Sequence, residues 1–77
     1  MKLTHDKISP FSEGLAVVHK NGEWFHVNPD GIPAYKERYE WAGPFSQGVA
    51  LVRKNSRWFC IHPDGKRVKK FYLILVS

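Results

Sequence analysis

The feature that most constrains this chain is a duplication. The stretch from Pro10 to Gly31 recurs from Pro44 to Gly65 without a gap, so that Phe11 and Phe45, Trp24 and Trp58, and Gly31 and Gly65 each stand 34 residues apart. Of the 22 aligned pairs 13 are identical, including both ends, both Phe-Ser steps and both Trp-Phe steps. A fixed period in this range marks a repeat architecture, in which each unit cannot hide its apolar face alone and stacking supplies the missing cover. Whatever one copy folds into, the other must fold into as well.

Within each copy the pattern is β. Residues 15–20 are apolar and β-branched on both sides of the alternation, which predicts a strand covered on both faces. Asn21-Gly22 follows, two residues that tolerate the positive φ of a type I′ hairpin turn. Residues 24–28 return as a second strand. Phe25 and Val27 lie on one face of it and are matched by Phe59 and Ile61, so these four are the expected core. The opposite face carries Trp24 and His26, replaced in the copy by Trp58, Cys60 and His62. Asn28-Pro29-Asp30-Gly31 is a turn in which proline presets φ. A short third strand is expected over residues 32–35, with a counterpart beginning Lys66-Arg67-Val68. Residues 1–9 read as an irregular lead-in and residues 39–43 as a loop between copies. Gly, Pro and β-branched residues interrupt every helical window. The expected fold is all-β: two tandem antiparallel three-stranded β-meander repeats sharing one core, barrel- or sandwich-like. They form a single domain, 1–77, with repeat one over about 8–41 and repeat two over about 42–75.

At 77 residues and 8.9 kDa the chain is near the lower limit for independent folding. A lone cysteine, Cys60, excludes an internal disulfide, and no Cys or His pair has zinc spacing. Association with another copy is the remaining aid, so a homodimer is expected. Its natural contact is the uncharged, strongly strand-forming end containing Phe71, Leu73, Ile74, Leu75 and Val76, which must be covered by the chain's own core or by a second subunit. The first residues contain no apolar leader run and no stretch reaches membrane-spanning length, which leads to the expectation of a soluble, cytoplasmic chain.

The segments Phe11 to Val18, Asn21 to Phe25 and Asp30-Gly31, with their copies Phe45 to Val52, Asn55 to Phe59 and Asp64-Gly65, resemble the WG repeat (WG-containing β-repeat) of bacterial proteins. The resemblance spans roughly residues 8–72. It implies a β-rich unit that usually occurs in tandem and brings no catalytic residues to carry over. The chain departs from the pattern at the second hairpin, where Ser56 replaces Gly22, and in its apolar end.

No catalytic, cofactor or metal site is expected. His26, Cys60 and His62 would face one another only across a pseudo-twofold axis, and half-exposed strand histidines are the simpler reading. Cys60 sits among Trp58, Phe59 and Ile61, surroundings that make a thiol inert. Asp30 and Asp64 each belong to a Pro-Asp-Gly turn, where a bond to local backbone explains them.

The remaining candidates for binding a partner are Tyr39, Trp41, Arg53, Lys54, Arg57, Lys66 and Arg67. Tyr39 and Trp41 are expected to be exposed between the repeats. The cations reflect an uneven charge distribution: residues 1–44 carry five basic and six acidic side chains, residues 45–77 seven basic and one acidic. The leading reading is a non-enzymatic module for protein–protein interaction or scaffolding. The alternative is polyanion or nucleic-acid binding through the basic second repeat, which needs clustered cations and exposed aromatics. One expectation weighs against the alternative. Arg53, Lys54 and Arg57 lie at one hairpin end, and Lys66 and Arg67 follow the other end of a strand spanning roughly 17 Å.

Overall fold

The computed structural model describes residues 7–69. Six strands form in chain order: β1 (Lys7–Ile8), β2 (Ala16–Lys20), β3 (Glu23–Val27), β4 (Trp41–Ala42), β5 (Ala50–Lys54) and β6 (Arg57–Ile61). They make two antiparallel three-stranded sheets, β1-β2-β3 and β4-β5-β6, and the described residues contain no helix. The 34-residue period is kept strand for strand. Lys20 opposes Glu23 and Lys54 opposes Arg57 across two-residue turns. Both turns place two residues at positive φ: Asn21 (52°) and Gly22 (80°), Asn55 (55°) and Ser56 (65°). This is the type I′ geometry that follows the right-handed twist of the strands. Ser56 holds it without being glycine.

The phase of the repeat differs from the expected one. The third strand of each sheet precedes the hairpin instead of following the Pro-Asp-Gly turn. Lys7–Ile8, assigned to an irregular lead-in, pairs with His19 and Val18, and Trp41–Ala42, assigned to a loop, pairs with Arg53 and Val52. Residues 32–35 form no strand and contribute a single bridge, Val27 with Pro33. The edge of β3 is shared, Pro33 bridging it at Val27 and Tyr39 at Trp24, so neither segment has the run a strand needs, and Arg67 at the position matching Pro33 likewise makes one bridge, with Ile61.

The chain between the sheets is a seam. Tyr39 exchanges both backbone hydrogen bonds with Trp24 at 2.9 Å, Glu40 N–H donates to Arg53 O at 2.8 Å, and Trp41 then begins β4. One short segment thus pairs first with β3 and next with β5. Glu13, in the turn before β2, accepts the N–H groups of Gln47 and Gly48 in the matching turn of the second copy at 2.6 and 2.9 Å. The Ser12 hydroxyl donates to Phe45 O at 2.7 Å. The buried residues form one cluster drawn from both sheets: Ala16, Val17, Val18, Phe25 and Val27 from the first, Ala42, Ala50, Val52 and Ile61 from the second, with Tyr35, Tyr39 and Phe45 between. Of the four expected core residues, Phe25, Val27 and Ile61 are buried and Phe59 is half-buried. Cover on both faces holds for β2, where Ala16, Val17 and Val18 are all buried. It fails for β5, where Leu51 is 43 % exposed. Residues 71–76, the expected dimer contact, lie outside the described residues.

Candidate functional site

His26 is the first surprise. Expected to be half-exposed, it is completely buried. Its Nε2 lies 2.7 Å from Gly43 O, and a carbonyl only accepts, so Nε2 carries the proton. Nδ1 is therefore the acceptor for the Tyr35 hydroxyl at 2.5 Å. Phe45 packs on the same ring at a centroid distance of 4.5 Å. Burial pushes the imidazole below its usual range, against an opposing contribution from the Gly43 bond, and burial pushes the Tyr35 hydroxyl up. A neutral imidazole with both nitrogens in use ties sheet one to the start of the second copy. It has no lone pair left for a metal.

The opposite outcome holds for the matching face of sheet two. Residues directly opposed across a ladder share a face, and the register puts Trp41, Leu51, Arg53, Trp58 and Cys60 on one side. Sheet one has Lys7, Val17, His19, Trp24 and His26 there. Gly43 and Phe45 cover that side of sheet one at His26. Among the described residues nothing comparable covers sheet two: Leu51 is 43 % and Trp58 53 % exposed, against 6 % for Val17. Trp41 stands 6.1 Å from Trp24 and 5.7 Å from Trp58, so three tilted indoles run as a stripe across both repeats. His19 stacks on Trp24 at one end and the Arg53 guanidinium lies over Trp58 at the other.

A second feature lies at the far hairpin. An open cleft of about 420 Å³ is lined by Lys54, Asn55, Arg57, Phe59 and Arg67. Arg67, expected a strand's length away from Lys54 and Arg57, lines the same cleft as both. The reason is the turn at Pro63 to Gly65. It sends the chain back along β6, where Val68 N–H donates to Cys60 O and Arg67 bridges to Ile61. The Arg67 guanidinium ends 4.2 Å from the centre of the Phe59 ring.

The predicted residues therefore divide. Lys54, Arg57 and Arg67 are brought together; Trp41 and Arg53 belong to the tryptophan stripe on the other face. Arg53 Nε also faces Glu40 Oε1 at 3.4 Å, an exposed ion pair of small energetic weight. Lys66 is exposed and lines neither feature. Tyr39 is a correction: it is 4 % exposed, buried by its exchange with Trp24 and by Phe59 at 6.0 Å. The turn aspartates follow expectation in one copy. Asp64 accepts Lys66 N–H, whereas in the first copy Asn28 does this work, accepting from Asp30 and Ile32. Sequence reasoning missed Leu51 as part of the surface that holds the three tryptophans, and Phe59 as part of the cleft lining.

A family model, that of the WG containing repeat, matches residues 6–24 and 36–58, more than half of the chain. The chain belongs to the WG containing repeat family. Each matched WG unit runs through a short strand, a turn, a second strand and the hairpin, and ends on Trp24 or Trp58. The phase of the WG unit is thus the phase of the sheets, strand before hairpin. No curated protein and no solved structure matches the chain.

Proposed function

We propose that this WG-repeat chain is a non-enzymatic binding module that takes up a polypeptide on the open face of sheet two. The observation that carries the reading is the contrast between matching faces: His26 is buried under Gly43 and Phe45 with Val17 buried beside it, while Leu51 and Trp58 lie exposed on the face they share with Trp41. Large aromatic side chains held rigidly on strands supply contact area at low entropic cost, and tryptophan and arginine are the residue types that dominate binding energy at interfaces. Panning a random peptide library against the full chain tests it. Binders are expected to lose at least about tenfold in affinity, near 1.4 kcal/mol, with Leu51→Asp or Trp58→Asp. Binders indifferent to both substitutions would overturn the reading.

The convergence of Lys54, Arg57 and Arg67 favours a second reading, a phosphate-bearing polyanion in the cleft. Arginine forks suit phosphate oxygens, and Phe59 with its covering guanidinium offers a plane for a base. Three phosphate contacts predict a slope of about −2 for log affinity against log salt with single-stranded DNA. Arg67→Ala should make that slope shallower by about 0.7. Absence of binding at low salt refutes this reading.

A further inference from the structure

We propose that the occupant of the open face of sheet two is a second copy of this chain, docked head to tail through its Phe11. The inference rests on the reading above, that this face takes a polypeptide, and names that polypeptide. Phe11 and Phe45 are the same residue of the repeat, 34 positions apart. Phe45 is fully buried, seated on the His26 ring; Phe11 is 47 % exposed. The repeat counterpart of His26 is Cys60, on the face where Leu51 and Trp58 are exposed. Among the described residues there is thus an unfilled seat on sheet two and an unseated phenyl ring at Phe11, and the contact of Phe45 with His26 is an internal example of how the two fit.

The polar contacts repeat in the same way. Ser12 donates its hydroxyl to Phe45 O, and Glu13 accepts from Gln47 and Gly48. Their counterparts are Ser46 and Gln47, both exposed. In the docked pair the Ser46 hydroxyl reaches Phe11 O of the next copy, and the Gln47 side-chain carbonyl accepts from that copy's turn at residues 13–14. Charge selects the polarity. Residues 1–44 carry net −1 and residues 45–77 net +6, so a head-to-tail order sets unlike ends together, whereas a symmetric arrangement of two second repeats opposes +6 to +6. A contact between different surfaces is heterologous, and it propagates unless its rotation closes a ring.

Sedimentation velocity on the full chain, with Phe11→Asp and Leu51→Asp variants, tests this. Both positions are exposed, and near-ultraviolet circular dichroism of the tryptophans checks that both variants fold. The wild-type mass is expected to rise with concentration beyond two chains of 8.9 kDa. Each variant alone is expected to be monomeric. An equimolar mixture is expected to form a 1:1 dimer and stop there, because one variant keeps the seat and the other keeps the ring. A wild type that stays monomeric up to millimolar concentration, or a mixture that does not associate, overturns the proposal. If Leu51→Asp abolishes association while Phe11→Asp leaves it intact, this proposal falls and the polypeptide-binding reading stands. Library binders indifferent to Leu51→Asp remove that reading itself.

Discussion

His26 shows how much one substitution between near-identical copies can change. At the matching position the second copy has Cys60, half-buried and without the seam contacts, whereas the imidazole at 26 bridges Tyr35 and Gly43 in a fully buried site. Its pKa is lowered from 6.5 by burial. Above pH 6.5 the group is neutral in both folded and unfolded chains and its full contribution to stability is present. Below that the unfolded chain binds a proton that the folded chain resists, so stability falls with pH, by up to about 1.4 kcal/mol per pH unit for a single proton. Urea unfolding between pH 7.5 and 5 is expected to show this decline, and His26→Gln to flatten it. Tyr35→Phe leaves Nδ1 buried without a donor and should cost about 1–3 kcal/mol at neutral pH. A variant as stable as the parent would mean that the bond is not holding the seam. The sequence marked His26 as a strand residue facing away from Phe25 and Val27, which is correct. Its burial was not legible, because the cover comes from Gly43 and Phe45, residues 17 and 19 positions away.

At the scale of elements the two hairpins are a controlled comparison. Both adopt the same turn, yet Ser56 stands at φ 65° where Gly22 stands at 80°. A left-handed conformation costs a residue with a Cβ about 1–2 kcal/mol. The second turn has a compensation: Glu40 accepts the N–H groups of Asn55 and Ser56 at 3.0 and 3.3 Å. Ser56→Gly should therefore stabilise the chain by about 0.5–1 kcal/mol, the relief of strain less the greater freedom of glycine when unfolded. The measurement is a higher urea midpoint at unchanged m-value. A lower midpoint would mean that the serine makes a contribution beyond its backbone. The hairpins were legible because their chemistry is local. The position of the third strand was not, since a two-residue strand such as Lys7–Ile8 carries almost no pattern of its own and exists only where β2 offers it an edge.

For the whole molecule, the decisive quantity is how firmly one repeat holds the other. Gly31 and Gly65 measure it. Both close a Pro-Asp-Gly turn at similar positive φ, 82° and 90°. A methyl group at 31 would meet nothing within 4 Å, whereas at 65 it would come within 2.6 Å of Tyr35 Cβ, across the seam. Gly31→Ala should cost only the backbone strain, about 1 kcal/mol. Gly65→Ala should cost about 1–3 kcal/mol more from overpacking. Thermal unfolding would read the difference as a further loss of several degrees for a domain of this size. Equal losses would mean that the two halves do not press on each other there. The sequence by itself determined the core of the unit: its period, its two hairpin strands and their turn, its all-β class and its family, because turn chemistry and side-chain alternation act over a few residues. Only the tertiary structure decided which equivalent residues are alike in environment. Among the described residues, stacking two similar units gives the inner faces a neighbour that the outer ones lack, so Phe45 is buried and Phe11 is not, Val17 is covered and Leu51 is not. Arg67 lines the same cleft as Arg57 because a turn brings it back along a strand that the sequence shows only as distance.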